Sequence, residues 1–551
     1  MGERGLAAAG LLDEAPPIFS HKQSVENGGV LFALPALIAQ GLLLYKDVYT
    51  EFSKAYYGLQ STILTLAFMA LCRIKNPDQL KQHNVGELGA LIGLDRVPEV
   101  KCLREKIAQI VNQQHASEFN RILFTHWTKD ESDFFFYVDG HVRIYSGYKA
   151  TLAVKYVSRQ KLCLTATTEY WVNDAQGLPY LVFMGELTEK MQEVIEYKII
   201  PEIKLNPSVT QPKASAQNPL FTLVFDRECY EPEFFQRLWE KHHIAVITYR
   251  KNVKDKWDEI HFKSTANTVF GNNVTGLLYE QEVQLGGHTF REIRKLSEGG
   301  HQTAIITTHP IISLAEVASK MFSRWSQENF FKYLIADYDF DKMVQYGTEI
   351  IDENTQVVNP PYRKITSEIK SVSEKLQRQK AKFYKLIEQI NNEKIDVLPE
   401  LTRAQMNAKE KINTLQKQLS ELKKKRESIP ARITLKAMPD ATRYDKLKPE
   451  GKMIMNIIKM IAYRAETALS EIVRLSLPPK SDEKRMLIKQ LFSTPADIIP
   501  DEQNNTLTIK ISTLSAPRYN QAIENLCTIL NETETIFPGT NLKLIYKTGA
   551  L

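Results

Sequence analysis

Three carboxylates stand at positions where a metal-dependent catalytic site could form. Asp139 interrupts an apolar run in YVDGH, Asp226 ends the buried-strand pattern LFTLVFD, and Glu328 lies in the helical pattern RWSQENFFKYL. Converging carboxylates repel one another unless a cation lies among them, and oxygen ligands suit Mg²⁺ or Mn²⁺. Two such ions about 3.5–4 Å apart can activate a water or a 3′-OH and stabilise the leaving oxygen of a phosphodiester. Together the three acids predict a two-metal site.

Each acid also has an ordinary structural interpretation. Asp-Gly is a common hairpin turn, Asp226 could cap the segment that follows it, and a single helical glutamate is usually a surface residue. The chain carries no GxSxG, P-loop or HExxH motif that would indicate another chemistry. The prediction therefore depends on the three acids in combination.

The elements that must position these acids follow the order β-β-β-α-β-α-β. Residues 131–252 contain aromatic and β-branched runs, a DAQG turn, and then alternating helix and strand patterns. A three-stranded meander followed by alternation is the order of an RNase H-like mixed sheet, whose first and fourth strands are neighbours. Asp139 and Asp226 would then approach each other. Residues 310–345, which contain a predicted long helix from Ser313 to Tyr338, would complete the core and add Glu328.

The segments before and inside this core have different patterns. Residues 1–45 are predicted to be a loose leader followed by an apolar segment, and residues 46–130 to be helical. Residues 253–309 combine β-leaning runs with Gly-rich joints, which predicts a β-rich insertion. The fold class expected from these patterns is α/β, with a helical N-terminal domain.

Two helices in the N-terminal region could read DNA. The patterns VGELGALIGL and EVKCLREKIAQIV are separated by a DRVP turn, and the second helix carries Lys101, Arg104 and Lys106. Such a pair could form a helix-turn-helix that presents these cations to DNA. An ordinary helical hairpin fits the pattern equally well.

The clearest periodicity lies in residues 346–430. Apolar residues recur at alternating steps of four and three from Ile365 to Ile390 and again from Ala408 to Leu422. Heptads of this length predict a coiled coil, and Pro399 between them favours an antiparallel hairpin. Residues 431–551 are expected to add helices and a small α/β tail.

Composition sets wider limits on the function. The 551 residues include 71 Lys and Arg against 65 Asp and Glu, so the net charge of +6 permits a nucleic-acid partner without establishing one. Five scattered cysteines argue against a disulfide framework or a structural zinc site. The apolar stretches 30–45 and 57–72 are predicted to be buried helices, and no secretory signal is recognised. A cytoplasmic protein without a membrane span is expected.

At these residues the sequence resembles DDE transposases of bacterial insertion sequences, in the branch with a β-rich insertion between the second Asp and the Glu. The resemblance covers LIGLDRVPEVKCLREK, YVDGHVRIYSG, LVFDRECYEPEFF and RWSQENFFKYL. It implies an RNase H-like core and Asp139, Asp226 and Glu328 as a triad for two Mg²⁺ (or Mn²⁺) ions. It also implies cutting of double-stranded DNA at the element's ends, strand transfer into a target, and a homodimeric active complex.

The same branch often embeds its glutamate in a Tyr-Arg-Glu-Lys signature. Arg324 precedes Glu328 by one helical turn, but Met321 replaces the tyrosine and Ile335 replaces the lysine. Lys332, one turn after the acid, could substitute, so that it and Arg324 hold DNA phosphates.

Two neighbouring residues carry weaker predictions. His141 follows Asp139 by two residues and would share its strand face, where it could touch DNA, whereas Trp325 is expected in the core.

Two other functions stay open at this point. One is a catalytically inactive, domesticated DNA-binding or coiled-coil scaffold, and the other is a metal-dependent nuclease without strand transfer.

Overall fold

The structure is a computed structural model of the chain. It describes residues 2–145, 147, 150–152, 154–157, 162–185, 189–211, 217–269, 272–340, 348–349, 351, 353–392, 398–438, 445–477, 481–514 and 516–549.

The N-terminal region is mainly helical, as its periodicity predicts. Its elements are α1 (Glu3–Ala8), β1 (Lys22–Val25), α2 (Leu34–Ala39), α3 (Leu59–Leu71), α4 (Val85–Ala90), α5 (Val100–Asn112) and α6 (Ala116–Trp127), with 3₁₀ turns at Gly28–Ala33, Leu42–Asp47 and Pro77–Gln82.

The apolar segment that follows the predicted leader is part of the hydrophobic core. Every residue from Val30 to Leu34 is fully buried. Helix α3 is buried along its whole length, so the second apolar stretch forms a core helix. No helix among the described residues is long and apolar enough to cross a membrane.

One large mixed sheet forms the centre of the molecule. Its strands are β2 (Phe135–Ile144), β3 (Val154–Val157), β4 (Leu162–Asn173), β5 (Pro179–Met184), β6 (Thr222–Phe225), β7 (Ala245–Tyr249), β8 (Lys263–Val269), β9 (Asn272–Leu285), β10 (His288–Leu296) and β11 (Gln302–Thr307). The helices along this part of the chain are α7 (Met191–Val194), α8 (Ile200–Lys204), α9 (Pro207–Thr210), α10 (Pro232–His242), α11 (Leu314–Phe322) and α12 (Trp325–Tyr338).

The strand order places the first and fourth strands of the predicted series side by side. Strand β4 lies between β2 and both β3 and β5, and β2 is followed by β6 and β7. Strands β2, β6 and β7 run parallel, whereas β2 and β4 are antiparallel. The aromatic and β-branched runs of these strands are buried, because helices cover the sheet.

The predicted insertion is β-rich, and it continues the central sheet. Strand β11 pairs antiparallel with β7, and β10, β9 and β8 follow outward. Helix α11 packs on this extension. A sequence pattern identifies the strands but not the sheet edge to which they add, so this continuity was not predicted.

The predicted long helix after the insertion is divided at Ser323 and Arg324. Ser313 caps α11 by accepting a hydrogen bond from the N–H of Glu316. Helix α12 begins at Trp325, which places Glu328 in its first turn and not in the middle of a helix. The division therefore gives Arg324 and Glu328 a position at a helix start, beside the sheet.

A helical hairpin follows the core. Its elements are β12 (Thr348–Glu349), β13 (Gln356–Val358), α13 (Pro360–Asn392), α14 (Leu398–Glu427), β14 (Arg432–Thr434) and β15 (Lys446–Leu447). Helices α13 and α14 pack along each other, and β13 pairs with β14 at their base. Pro399 lies in the first turn of α14, and the predicted reversal itself falls at 393–397, outside the described residues.

The C-terminal region joins the N-terminal segment. It contains α15 (Glu450–Arg474), α16 (Ser481–Ser493), β16 (Ala496–Asp501), β17 (Thr506–Ile511), α17 (Pro517–Glu532) and β18 (Lys543–Thr548). Strand β1 completes a sheet in the order β1-β16-β17-β18. Residues 1–45 and the tail, predicted as separate segments, therefore share one sheet.

Candidate active site

Two of the three predicted acids lie side by side on neighbouring parallel strands, Asp139 within β2 and Asp226 directly after β6. Val138 of β2 is paired with Phe225 of β6, so Asp139 and Asp226 are the next residues on the two strands. Adjacent strands lie about 4.8 Å apart, which brings the two carboxylates to one edge of the sheet. Asp226 Oδ1 also accepts a hydrogen bond of 2.6 Å from the N–H of Arg227. Asp226 therefore also caps the segment that follows it, which is the structural role that the sequence suggested.

Arg324 connects the third acid to this edge. Its Nη2 atom lies 2.7 Å from Oε1 of Glu328, and its Nη1 atom lies 3.7 Å from Oδ2 of Asp139. The predicted one-turn spacing of Arg324 and Glu328 therefore produces a direct contact. The guanidinium is largely buried, with 12% of the side chain exposed, so these two carboxylates share one desolvated cation.

Contacts that the sequence did not reveal fasten the start of α12 to the sheet. The fully buried Gln327 donates from Nε2 to the carbonyl of Tyr137 at 3.1 Å and to Oδ1 of Asn173 at 3.0 Å. The turn between β4 and β5 packs against the same helix start at Gly177. That residue has φ +84°, and a Cβ there would lie 2.7 Å from the carbonyl oxygen of Ser326. Only glycine permits both this backbone conformation and this close approach.

The electrostatics of Asp139 reflect burial and neighbouring acids. The pKa of Asp139 is raised to about 7, mainly by burial and to a lesser degree by the carboxylates of Asp226 and Glu228. Arg324 and the N–H of Gly140 lower it by stabilising the charged form. Another cation at this edge would relieve the same repulsion.

Tyr249, the last residue of β7, borders the same space. Burial raises the pKa of its phenol, and the nearby charge of Arg324 opposes that shift. The carboxylates of Asp226 and Glu328 both raise the pKa further. Asp226 and Glu328 therefore both lie within electrostatic range of this phenol.

The acids do not form a completed metal cluster. Across the described ranges, no three His, Cys, Asp or Glu side chains are arranged so that they could hold a metal ion. The guanidinium of Arg324 is the cation between Asp139 and Glu328 here. The donor chemistry of these acids suits a hard divalent cation, but a shared ion requires Arg324 to release a carboxylate.

The predicted DNA-contacting cations of α5 divide into two groups. Lys101 and Arg104 are exposed, and Arg104 Nη2 lies 2.5 Å from a carboxylate oxygen of Asp78. Lys106 is buried, with its Nζ 4.7 Å from the centroid of the Phe52 ring, and burial lowers its pKa. The expectation that Lys106 faces DNA is therefore wrong, because its ammonium points into the protein.

The remaining predicted residues near the acids also differ in exposure. Lys332 is exposed on α12, one turn beyond Glu328. His141 is buried and stacks on Phe331 at a centroid distance of 5.2 Å, so it supports the core and does not present a surface to DNA. Trp325 was expected in the core, yet 58% of it is exposed beside Arg324. Its position at the first residue of α12 turns the indole away from the sheet.

The comparisons with known proteins supply the family. No curated protein matches the chain. A family model described as "Transposase protein" matches residues 1–550, so this chain belongs to that transposase family.

Proposed function

We propose that this chain is a DDE transposase that cuts double-stranded DNA at the ends of a bacterial insertion sequence and joins them to target DNA. The observation that carries this proposal is that the paired strands β2 and β6 bring Asp139 and Asp226 side by side, while Arg324 joins Asp139 to Glu328. The order β5-β4-β2-β6-β7, with β2 parallel to β6, supports an RNase H-like core. Membership of a transposase family supports DNA as the substrate.

The three acids would hold two Mg²⁺ or Mn²⁺ ions. When bound, these ions would activate a water or a 3′-OH and stabilise the leaving oxygen of the phosphodiester. The protein's own contribution is to fix Asp139 and Asp226 on rigid strands and Glu328 at a helix start, and to desolvate Asp139, which disfavours its charged form. Gln327 keeps the start of α12 against the sheet, so that Glu328 faces the other two acids.

Arg324 has two roles in this proposal. Without DNA and metal its single positive charge lies between Asp139 and Glu328 and reduces the repulsion between them. When a metal ion replaces that charge, the guanidinium becomes available for a DNA phosphate, for which its planar donors are well suited. Lys332 would hold a second phosphate on the same helix.

A strand-transfer assay tests the proposal against its alternatives. The full chain is incubated with Mn²⁺, a plasmid target and a pre-cut end of the element that encodes it. Joined products are expected. Cleavage of uncut DNA without any joining would favour a nuclease, and DNA binding without either reaction would favour a scaffold. The active complex is expected to be a homodimer.

Trp325 is proposed as a base-stacking residue. Trp325→Ala should weaken the complex with a DNA end about tenfold, because one base–aromatic stack contributes about 1–3 kcal/mol. The thermal midpoint should stay unchanged, since the side chain is mostly exposed. Trp325→Phe should restore much of the affinity, which is measured by a gel-shift titration. Equal binding by the alanine variant and the wild type would contradict this role.

Helix α5 is proposed as a DNA-contacting element. Replacing both Lys101 and Arg104 with alanine should lower the salt dependence of DNA binding, because each phosphate contact contributes about 0.9 to the slope of log K against log salt. The magnitude of this slope is therefore expected to fall by about 1.8 when two phosphate contacts are lost. Lys547→Ala, an exposed change in the C-terminal sheet, serves as the control. An unchanged slope in the double variant would identify α4 and α5 as an ordinary hairpin.

A further inference from the structure

Helix α15 carries a buried stripe of charged residues. Lys452, Lys459 and Glu466 follow one another at seven-residue intervals, and their exposed fractions are 3%, 3% and 0%. Residues seven apart lie on one face of a helix. Lysine and glutamate are almost never fully buried without partners, so this face must meet polar groups of another element.

The two lysines bind the end of α12. Lys459 Nζ donates to the carbonyl of Tyr338 at 2.8 Å, and Lys452 Nζ donates to the carbonyl of Phe340 at 2.6 Å. Asp339 between them has a left-handed backbone with φ +48°, which ends the helix. Carbonyls at a helix C-terminus carry a partial negative charge and lack intrahelical donors, so two ammonium groups satisfy them.

Glu466 binds two side chains of α12, the helix whose end the two lysines contact. Its carboxylate accepts hydrogen bonds from the hydroxyl of Tyr333 and, at 2.5 Å, from the hydroxyl of Tyr338. Arg73, immediately after α3, donates to the same carboxylate from Nη2 at 2.8 Å. Arg485 of α16 approaches it at 3.8 Å. A single buried carboxylate therefore joins α12 to the N-terminal region and to the C-terminal helices.

We propose that the charged stripe of α15 positions Glu328 and that Glu466 is its principal positioning residue. Glu328 and Tyr338 belong to one helix and are separated by ten residues, or about 15 Å along its axis. Lys452, Lys459 and Glu466 hold the C-terminal end of α12. Because the helix is rigid, this restricts its rotation and sliding and so fixes the position of Glu328. The inference rests on the proposed function, because it assigns the purpose of this rigidity to the predicted metal site.

The test compares Glu466→Gln with Glu450→Gln in the full chain. Glu450 lies in the first turn of α15, is also buried, and accepts a hydrogen bond of 2.7 Å from the N–H of Ala116, away from α12. Amide hydrogen exchange of residues 325–338 is measured without metal and DNA. An increase of about tenfold or more is expected for Glu466→Gln, and none for Glu450→Gln.

A second measurement connects the helix to the metal. The Mn²⁺ concentration that half-saturates the protein should rise about tenfold in Glu466→Gln, since lost support of a metal ligand usually costs 10–100-fold in affinity. If Glu466→Gln fails to fold, Tyr333→Phe removes a single hydroxyl from the same carboxylate. Tyr546→Phe then becomes its control, because that hydroxyl bonds the distant Leu31 carbonyl.

The outcomes separate this inference from the proposed function. Unchanged exchange in α12, or equal changes in Glu450→Gln, would overturn the positioning role. Faster exchange in α12 with unchanged Mn²⁺ binding would limit Glu466 to a structural role and also overturn it. A wild-type chain that binds no Mn²⁺ would contradict the metal site itself, whatever the exchange data show.

Discussion

Asp139→Asn and Asp226→Asn are each expected to reduce metal-dependent DNA cleavage by at least about 10³-fold. Either change removes a carboxylate from the proposed metal site, and metal ions supply several kcal/mol of transition-state stabilisation, with about 1.36 kcal/mol for each factor of ten. DNA binding should stay within about twofold of the wild type, because an amide preserves the size of the side chain and the hydrogen bonds to Gly140 and Arg227. Cleavage is measured on an end-containing duplex with Mn²⁺.

The control for these two variants is Asp501→Asn. Asp501 lies in the C-terminal sheet, where it accepts a hydrogen bond from the N–H of Asn504. The same chemical change there should leave cleavage unchanged. Persistent cleavage by both active-site variants would show that the acids at the sheet edge are structural and that another site cuts DNA.

Arg294→Met is expected to have the largest effect on stability. Arg294 is fully buried, stacks on Trp257 at 4.0 Å, and lies 2.6 Å from Asp255 and 2.5 Å from Glu292. Removing it leaves the fully buried Glu292 with Arg250 as a remaining ionic partner. Loss of one partner from a buried pair costs about 3–5 kcal/mol. The cost should appear as faster hydrogen exchange in β10 and β11.

A double variant distinguishes the lost ion pair from lost packing. Adding Glu292→Leu to Arg294→Met removes the carboxylate that has lost one of its two partners, and replacing both members of a buried pair by apolar residues is often neutral. Arg250 then keeps Asp255, at 4.0 Å, as an ionic partner. The double variant should therefore recover most of the protection. A double variant as unprotected as the single one would mean that Arg294 acts through its stacking on Trp257.

Local patterns predicted the elements of the core well. The aromatic and β-branched run around Asp139 forms β2, and the apolar run before Asp226 forms β6. A short apolar or alternating segment that is bounded by turn residues predicts a strand, and both of these segments have that pattern. The heptad positions of the hairpin are likewise buried at Ile365, Val372 and Leu376.

Contacts between distant segments were beyond the same reasoning. Periodicity does not specify which strand is the partner of β1 or β8, since each pairs with a strand chosen by the whole fold. The burial of the charged stripe of α15 could not be predicted for the same reason. Lys459 and Glu466 have the residue types of a solvated helix face, and only the position of α12 makes them buried.

The candidate site was partly visible in the sequence. The spacing of Arg324 and Glu328 predicted that they face the same side, because helical neighbours one turn apart share a face, and in the structure they are in direct contact. The division of the helix before Trp325 was not predicted, since SRWSQ contains no strong helix-breaking residue. That division exposes the indole of Trp325 and lets Gln327 reach β2, and neither result follows from residue type alone.

The pairing of β1 with β16 has a consequence for when the protein can fold during its synthesis. The 3₁₀ segment after β1 packs against residues near Thr494, where the N–H of Gly29 donates to the Thr494 carbonyl at 2.9 Å. During translation the apolar stretch Val30–Leu34 therefore leaves the ribosome long before the residues that cover it. It needs shielding in the nascent chain, and only a chain translated through β18 can complete this sheet.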